Sequence, residues 1–112
     1  MSSEEINKKI EELQMIESHL QGFLAQKQIL QIELNEIENA LEEVKSSDKE
    51  VYKMVVGFMI KSNKEELKKE LEEKKKLLDM RISSMEKQEI LLERNAANLK
   101  KEIDDSIAKS KK

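Results

Sequence analysis

Two stretches of this 112-residue chain carry apolar residues at alternating steps of three and four, the heptad spacing of helices that pack along a seam. In the first stretch the seam positions are Ile16, Leu20, Phe23, Lys27, Leu30, Leu34, Ile37, Leu41 and Val44. In the second they are Leu71, Leu78, Met85, Leu92 and Leu99, with Ile82, Ala96 and Ile103 at the complementary position. Lys27, Lys75 and Glu89 are polar exceptions. This spacing predicts two long coiled-coil helices.

The composition supports long helices and excludes several functions. With 40% charged residues, 3% aromatic residues and no proline, the chain fits a coiled coil better than a globular domain with a large core. A net charge of −3, with acids and bases interleaved, gives no field that attracts nucleic acid or an anionic membrane. No cysteine is available for a disulfide or a thiolate metal site. We therefore expect no nucleic acid, no membrane and no cofactor among the partners.

The apolar runs are also too short for a membrane helix. The longest uninterrupted run covers residues 54–60, whereas a spanning helix needs roughly 20 residues. No signal-peptide pattern begins the sequence. These features predict a soluble, cytoplasmic protein.

The two seams match each other when the chain folds back on itself. Partners in an antiparallel pair have residue numbers that sum to a constant; Leu30 with Leu78 sums to 108, and Ile10 with Leu99 sums to 109. Eight such pairs align. The predicted fold is all-α, an antiparallel coiled-coil hairpin with a small β-hairpin at the bend. A parallel homodimeric rod is the alternative.

The connecting segment is rich in β-branched and aromatic residues around a Val56-Gly57 pair, which predicts strands near 51–55 and 58–61. Asn63, with Glu66 three positions later, predicts the start of the second helix. Two strands alone are marginal in water and have two unpaired edges, so copies are expected to form a β-barrel platform between subunits. The expected oligomerisation residues are Val51, Tyr52, Met54, Val55, Val56, Phe58, Met59 and Ile60. The alternative is a hairpin folded down on its own helices.

A second group of apolar residues lies away from the seams. Gly22, Ala25, Ile29 and Ile32 share the opposite side of the first helix, and Leu77 and Met80 share that of the second. We interpret them as an outward patch that packs against another subunit or the connector. Scattered surface aliphatics are the other interpretation.

Several sequence segments together resemble a known family. A hairpin of the form VYK-x-V-x-G/N-x-x-x-K lies between coiled-coil helices, with LAQKQ at residues 24–28, ENALEEV at 38–44 and RISSMEKQE at 81–89. In order and spacing, these segments resemble the β-type subunit of prefoldin. The single hairpin separates the chain from the α-type subunit, which carries two.

The resemblance implies one prefoldin-like domain over residues 1–112, with helices at about 3–46 and 63–109 and the hairpin at about 50–62. It further implies a hexamer of two α-type and four β-type subunits. Such a complex is an ATP-independent co-chaperone, a holdase that captures unfolded proteins and delivers them to a group II chaperonin. Family client contacts lie toward the free ends of the arms, where this chain has Ile6, Ile10, Leu13, Leu99, Ile103 and Ile107.

Two other classes of function fit the sequence less well. A scaffolding coiled-coil adaptor without chaperone activity is the alternative function. An enzyme is not expected, because the single histidine, His19, has no evident nucleophile or phosphate-binding loop beside it in the sequence.

Overall fold

A computed structural model describes residues 2–47, 50–55 and 58–110 of the chain. Its elements, in order, are α1 (Ser3–Ser46), β1 (Val51–Val55), β2 (Phe58–Ser62) and α2 (Lys64–Ser110). The prediction of two long helices joined by a β-hairpin is confirmed. The predicted turn at Val56-Gly57 lies outside the described residues. Within the described part of the chain, neither helix carries an apolar stretch long enough to cross a membrane.

Both helices begin at a side chain that caps their first amide groups. Ser2 Oγ accepts a 3.2 Å hydrogen bond from the backbone N–H of Glu5 at the start of α1. At the start of α2, Asn63 Oδ1 accepts bonds of 2.8 and 3.5 Å from the N–H groups of Glu65 and Glu66. These bonds satisfy amide donors that the first helical turn leaves without a partner. The predicted cap at Asn63 is confirmed.

The chain divides into two compact units, which we name by their contents. The terminal unit comprises Met1–Lys27 and Ser84–Lys112, and the hairpin unit comprises Gln28–Ser83. The buried apolar residues of the terminal unit are Ala96 and Ile103, and those of the hairpin unit are Leu30, Leu41, Val44, Leu67, Leu78 and Ile82. Apart from Leu67, near the start of α2, all of these are seam residues of the helices.

Ion pairs connect the two helices. Among the described residues, four of them join α1 to α2, namely Lys9–Glu102, Glu17–Lys100, Lys27–Glu89 and Glu38–Lys75. Their residue numbers sum to values between 111 and 117, above the predicted constants of 108 and 109. Helical side chains lean toward the N-terminus of their own helix, so long side chains of antiparallel helices meet at sums above that of the facing backbone positions. The ion pairs fit the antiparallel arrangement, and the individual seam partners remain a prediction.

The two strands form one antiparallel sheet in the hairpin unit. Val51 pairs with Ser62 at its open end, and Val55 pairs with Phe58 next to the two-residue connection. Strand side chains alternate between faces, so Val51 and Lys53 share one face while Tyr52 lies on the other. The predicted strand positions are confirmed.

Candidate interaction surfaces

The β-hairpin exposes more large apolar surface than any other short segment of the described chain. Phe58 is 73% exposed and Met59 is 71% exposed, and Tyr52 and Ile60 are also exposed. Two strands supply no neighbour to cover these side chains or to pair with their outer backbone groups. We name Tyr52, Phe58, Met59 and Ile60 the hairpin surface. Its size and its free strand edges fit a surface that a partner covers.

The other predicted oligomerisation residues are placed differently. Val51 is half-buried and turned toward the helices, where it lines a cleft with Val44 and Leu67. Met54 and Val55 are residues of strand β1, and Val56 lies outside the described residues. Their role in oligomerisation remains a prediction.

Polar contacts hold the base of the hairpin in place. Glu50 accepts a 2.8 Å hydrogen bond from Lys61 Nζ and a 3.0 Å bond from the Tyr52 hydroxyl. Tyr52 and Lys61 are partners across the two strands. The bond from Lys61 and, second, the bond from Tyr52 lower the pKa of Glu50 below its ordinary value. The Glu50 carboxylate therefore braces both strands at the open end of the sheet.

One lysine joins the hairpin to α2, and a second joins the start of α2 to the end of α1. Lys53 Nζ lies 3.5 Å from a carboxylate oxygen of Glu70 on α2. Lys64 Nζ donates to the carbonyl oxygens of Lys45 and Ser47, at 3.2 and 3.0 Å. A cation at these carbonyls also complements the negative end of the α1 dipole. The base of the hairpin is thus anchored to the helices, while the side chains of the hairpin surface, which come from both faces of the sheet, stay exposed.

The predicted client-binding residues all lie in the terminal unit, on both helices. Ile103 is buried, Ile6, Ile10, Leu13 and Leu99 are half-buried, and Ile107 is exposed. Most of this set therefore contributes to helix packing, and Ile107 is the member that presents the most surface. The client-binding role of these six residues remains a prediction.

Sequence reasoning missed other exposed apolar residues of the terminal unit. Leu24, Ile90 and Leu91 are each about half exposed or more. Leu24 follows the seam residue Phe23, and Leu91 precedes the seam residue Leu92, so neither belongs to a seam. The available signal was that a heptad seam cannot use two consecutive residues.

Metal-ligating side chains are not grouped in the part of the chain that the structure describes. Within it, no three His, Cys, Asp or Glu side chains lie together so that they could hold a metal ion. His19 is an exposed residue of α1.

Comparison with known proteins agrees with this arrangement. A family profile described as Prefoldin subunit matches residues 7–110. The prefoldin subunit beta of Sulfurisphaera tokodaii is 31% identical over 107 residues, which cover 94% of this chain and 86% of that protein. The prefoldin subunit beta of Pyrobaculum islandicum is 35% identical over 98 residues, covering 86% of this chain and 78% of that protein.

A solved structure is similar in three dimensions as well. The crystal structure of the prefoldin beta subunit from Thermococcus strain KS-1 matches with a TM-score of 0.86 and 32% identity. The match covers 91% of each chain.

Proposed function

The chain belongs to the prefoldin family as a β-type co-chaperone subunit, and we propose that its terminal unit holds unfolded proteins, without ATP, for delivery to a group II chaperonin. The family is one of non-enzymatic chaperones, and we propose no catalytic activity for this member. We further propose that residues 1–112 work as one prefoldin-like domain in the cytoplasm, on the sequence grounds given above.

The observation that supports assembly into the co-chaperone complex is the exposed hairpin surface. A β-type prefoldin subunit assembles with other prefoldin subunits, and Phe58 and Met59 are large apolar side chains left nearly three-quarters exposed. Burying apolar surface contributes about 25 cal/mol per Å², so covering these side chains between subunits favours assembly. We propose that two α-type and four β-type subunits join their hairpins into a β-barrel platform. Lys53 supports this by joining strand β1 to Glu70 of α2, and Lys64 by joining the start of α2 to the end of α1.

Client holding is proposed for the terminal unit. Ile6 and Ile107 are apolar residues near opposite ends of the sequence that fall within this unit, and neither is fully buried. Each contact with an unfolded chain is weak, because a few apolar side chains bury little area. An assembly presents several such sets at once, and effective concentration converts weak contacts into useful retention.

Suppression of client aggregation tests the proposal. The Ile6→Asp/Ile107→Asp variant, assembled with an α-type subunit, is expected to lose most of its suppression while its native mass remains that of six chains. The matched control is Asn7→Asp/Ala108→Asp, which changes exposed neighbouring residues to the same acid and is expected to suppress normally. Equal suppression by both variants would contradict client holding at these residues. A complex that assembles but never suppresses aggregation would favour the scaffolding adaptor.

A further inference from the structure

Four apolar side chains on the helices of the hairpin unit are exposed without belonging to either surface described above. Ile29 and Ile32 on α1 are each 59% exposed, and Leu77 and Met80 on α2 are 61% and 60% exposed. Each pair has a spacing of three residues, so its two side chains are neighbours on one helical face. The helices therefore each present an apolar pair of nearly the same size and spacing.

The charges around these two pairs have opposite signs. Residues 28–44 of α1 contain five glutamates and no lysine or arginine. Residues 73–81 of α2, beginning one turn before Leu77, contain three lysines and one arginine against one glutamate and one aspartate, and so remain net basic. Glu36, one turn beyond Ile32, and Lys76, beside Leu77, are both exposed.

We propose that these faces bind each other between neighbouring copies of this chain, with the α1 outer face of one copy on the α2 outer face of the next. The α1 outer face is defined by Ile29, Ile32, Glu33 and Glu36. The α2 outer face is defined by Lys74, Lys76, Leu77, Met80 and Arg81. This inference rests on the proposed assembly through the hairpin.

Charge complementarity favours this pairing over the two symmetric pairings, in which an α1 outer face meets another α1 outer face or an α2 outer face meets another α2 outer face. Two α1 outer faces would bring glutamates together, and two α2 outer faces would bring lysines and arginines together; both juxtapositions are repulsive. Only the unlike pairing joins acids to bases around an apolar centre. Such a contact is heterologous, because each copy uses one face toward one neighbour and the other face toward the next.

The contact is too small to assemble subunits alone. Two side chains from each copy bury far less than the roughly 1,200 Å² of a stable interface. Once the hairpins hold two copies together, the faces meet at high effective concentration and a weak contact suffices. Its effect is to orient neighbouring helix pairs next to the platform.

Disulfide trapping tests the contact, since the chain has no cysteine of its own. Ile32→Cys and Met80→Cys are placed on separate copies, which are mixed and assembled with an α-type subunit before oxidation. A cross-linked dimer is expected in the mixture, with at least fivefold less in either variant alone. The control mixture of Gln31→Cys and Asp79→Cys carries exposed cysteines directed away from both faces and is expected to give little dimer.

Charge reversal supplies the second measurement. Glu33 lines one groove with Lys74, Leu77 and Arg81 of the same chain. Glu36 and Lys76 do not line this groove, so they are the informative charges. Glu36→Lys on the Ile32→Cys copy is expected to lower the dimer yield severalfold, and Lys76→Glu on the Met80→Cys copy is expected to restore it. If the complex has its normal native mass but gives no more cross-linked dimer than the control mixture, the proposed contact between the outer faces is wrong. The proposed platform is not affected by that result. Failure to assemble without any substitution overturns the proposed platform, and the contact with it.

Discussion

Lys27 Nζ lies 3.3 Å from Oε2 of Glu89, and both side chains sit within the seam of the terminal unit, 20% and 16% exposed. The other carboxylate oxygen, Oε1 of Glu89, is buried and has no hydrogen-bond partner within the described part of the chain. Removing charges from water is costly, and one ion-pair contact leaves part of that cost uncompensated. The pair therefore contributes more to specifying the register than to stability.

Replacing both members of this pair should be less damaging than replacing one. Lys27→Leu alone leaves a glutamate in an apolar seam, and we expect it to destabilise the helix pair by about 1–3 kcal/mol, less than a fully buried pair would lose. Lys27→Leu/Glu89→Leu is expected to be at least as stable as the parent chain. Thermal unfolding followed by circular dichroism makes the comparison. A double variant less stable than Lys27→Leu would contradict this account of the pair.

This pair also shows how far the sequence alone could go. The seams were evident from heptad spacing, and the strands from the β-branched run beginning at Val51, because both depend on local periodicity. The partner of Lys27 was not evident, because an apolar repeat fits itself at several displacements and the seam pairing was predicted from apolar residues alone. Exposure at Leu24 was predictable but missed, since its neighbour Phe23 occupies the seam and two consecutive residues cannot both do so.

For the predicted client-binding and oligomerisation residues, the sequence indicated the secondary structure but not the exposure. Periodicity located Ile107 and Phe58 correctly on a helix and a strand, yet it could not separate exposed members of a set from buried ones. Ile103 belongs to the same predicted set as Ile107 and is buried in the terminal unit. Burial depends on the neighbouring helix and hence on the register.

Lys64 is expected to stabilise the hairpin unit through its two bonds to the end of α1. Lys64→Met keeps much of the side-chain length but removes the donors to Lys45 and Ser47, at an expected cost of about 0.5–1.5 kcal/mol. The matched control is Lys69→Met at an exposed position of α2, with an expected change within about 0.5 kcal/mol. Urea denaturation gives both values. Equal losses in the two variants would show that the carbonyl contacts contribute nothing specific.

The hydrogen bonds that Glu50 accepts from Lys61 and Tyr52 should make the hairpin sensitive to acid. Its pKa is lowered from 4.5 by Lys61 and then Tyr52, so its stabilising contribution is present above pH 4.5 and is lost as pH falls through the lower folded value. As the pH is lowered below 4.5, the nuclear magnetic resonance signals of Tyr52 are expected to change as the open end of the sheet loosens. Glu50→Gln carries no titrating carboxyl there, and its Tyr52 signals should lack this step. A step of the same size in the Gln variant would assign the effect to another group.

Native mass spectrometry of a Phe58→Asp/Met59→Asp variant, expressed with an α-type subunit, tests the central claim that the exposed hairpin holds the assembly together. Two charges on this surface cannot be buried between subunits without a large desolvation cost. The account predicts that the variant keeps its helical circular dichroism but yields species smaller than six chains. The control Gln31→Asp/Ser83→Asp places the same charges on exposed helical positions and is expected to yield six. A six-chain mass for the Phe58→Asp/Met59→Asp variant would contradict the account.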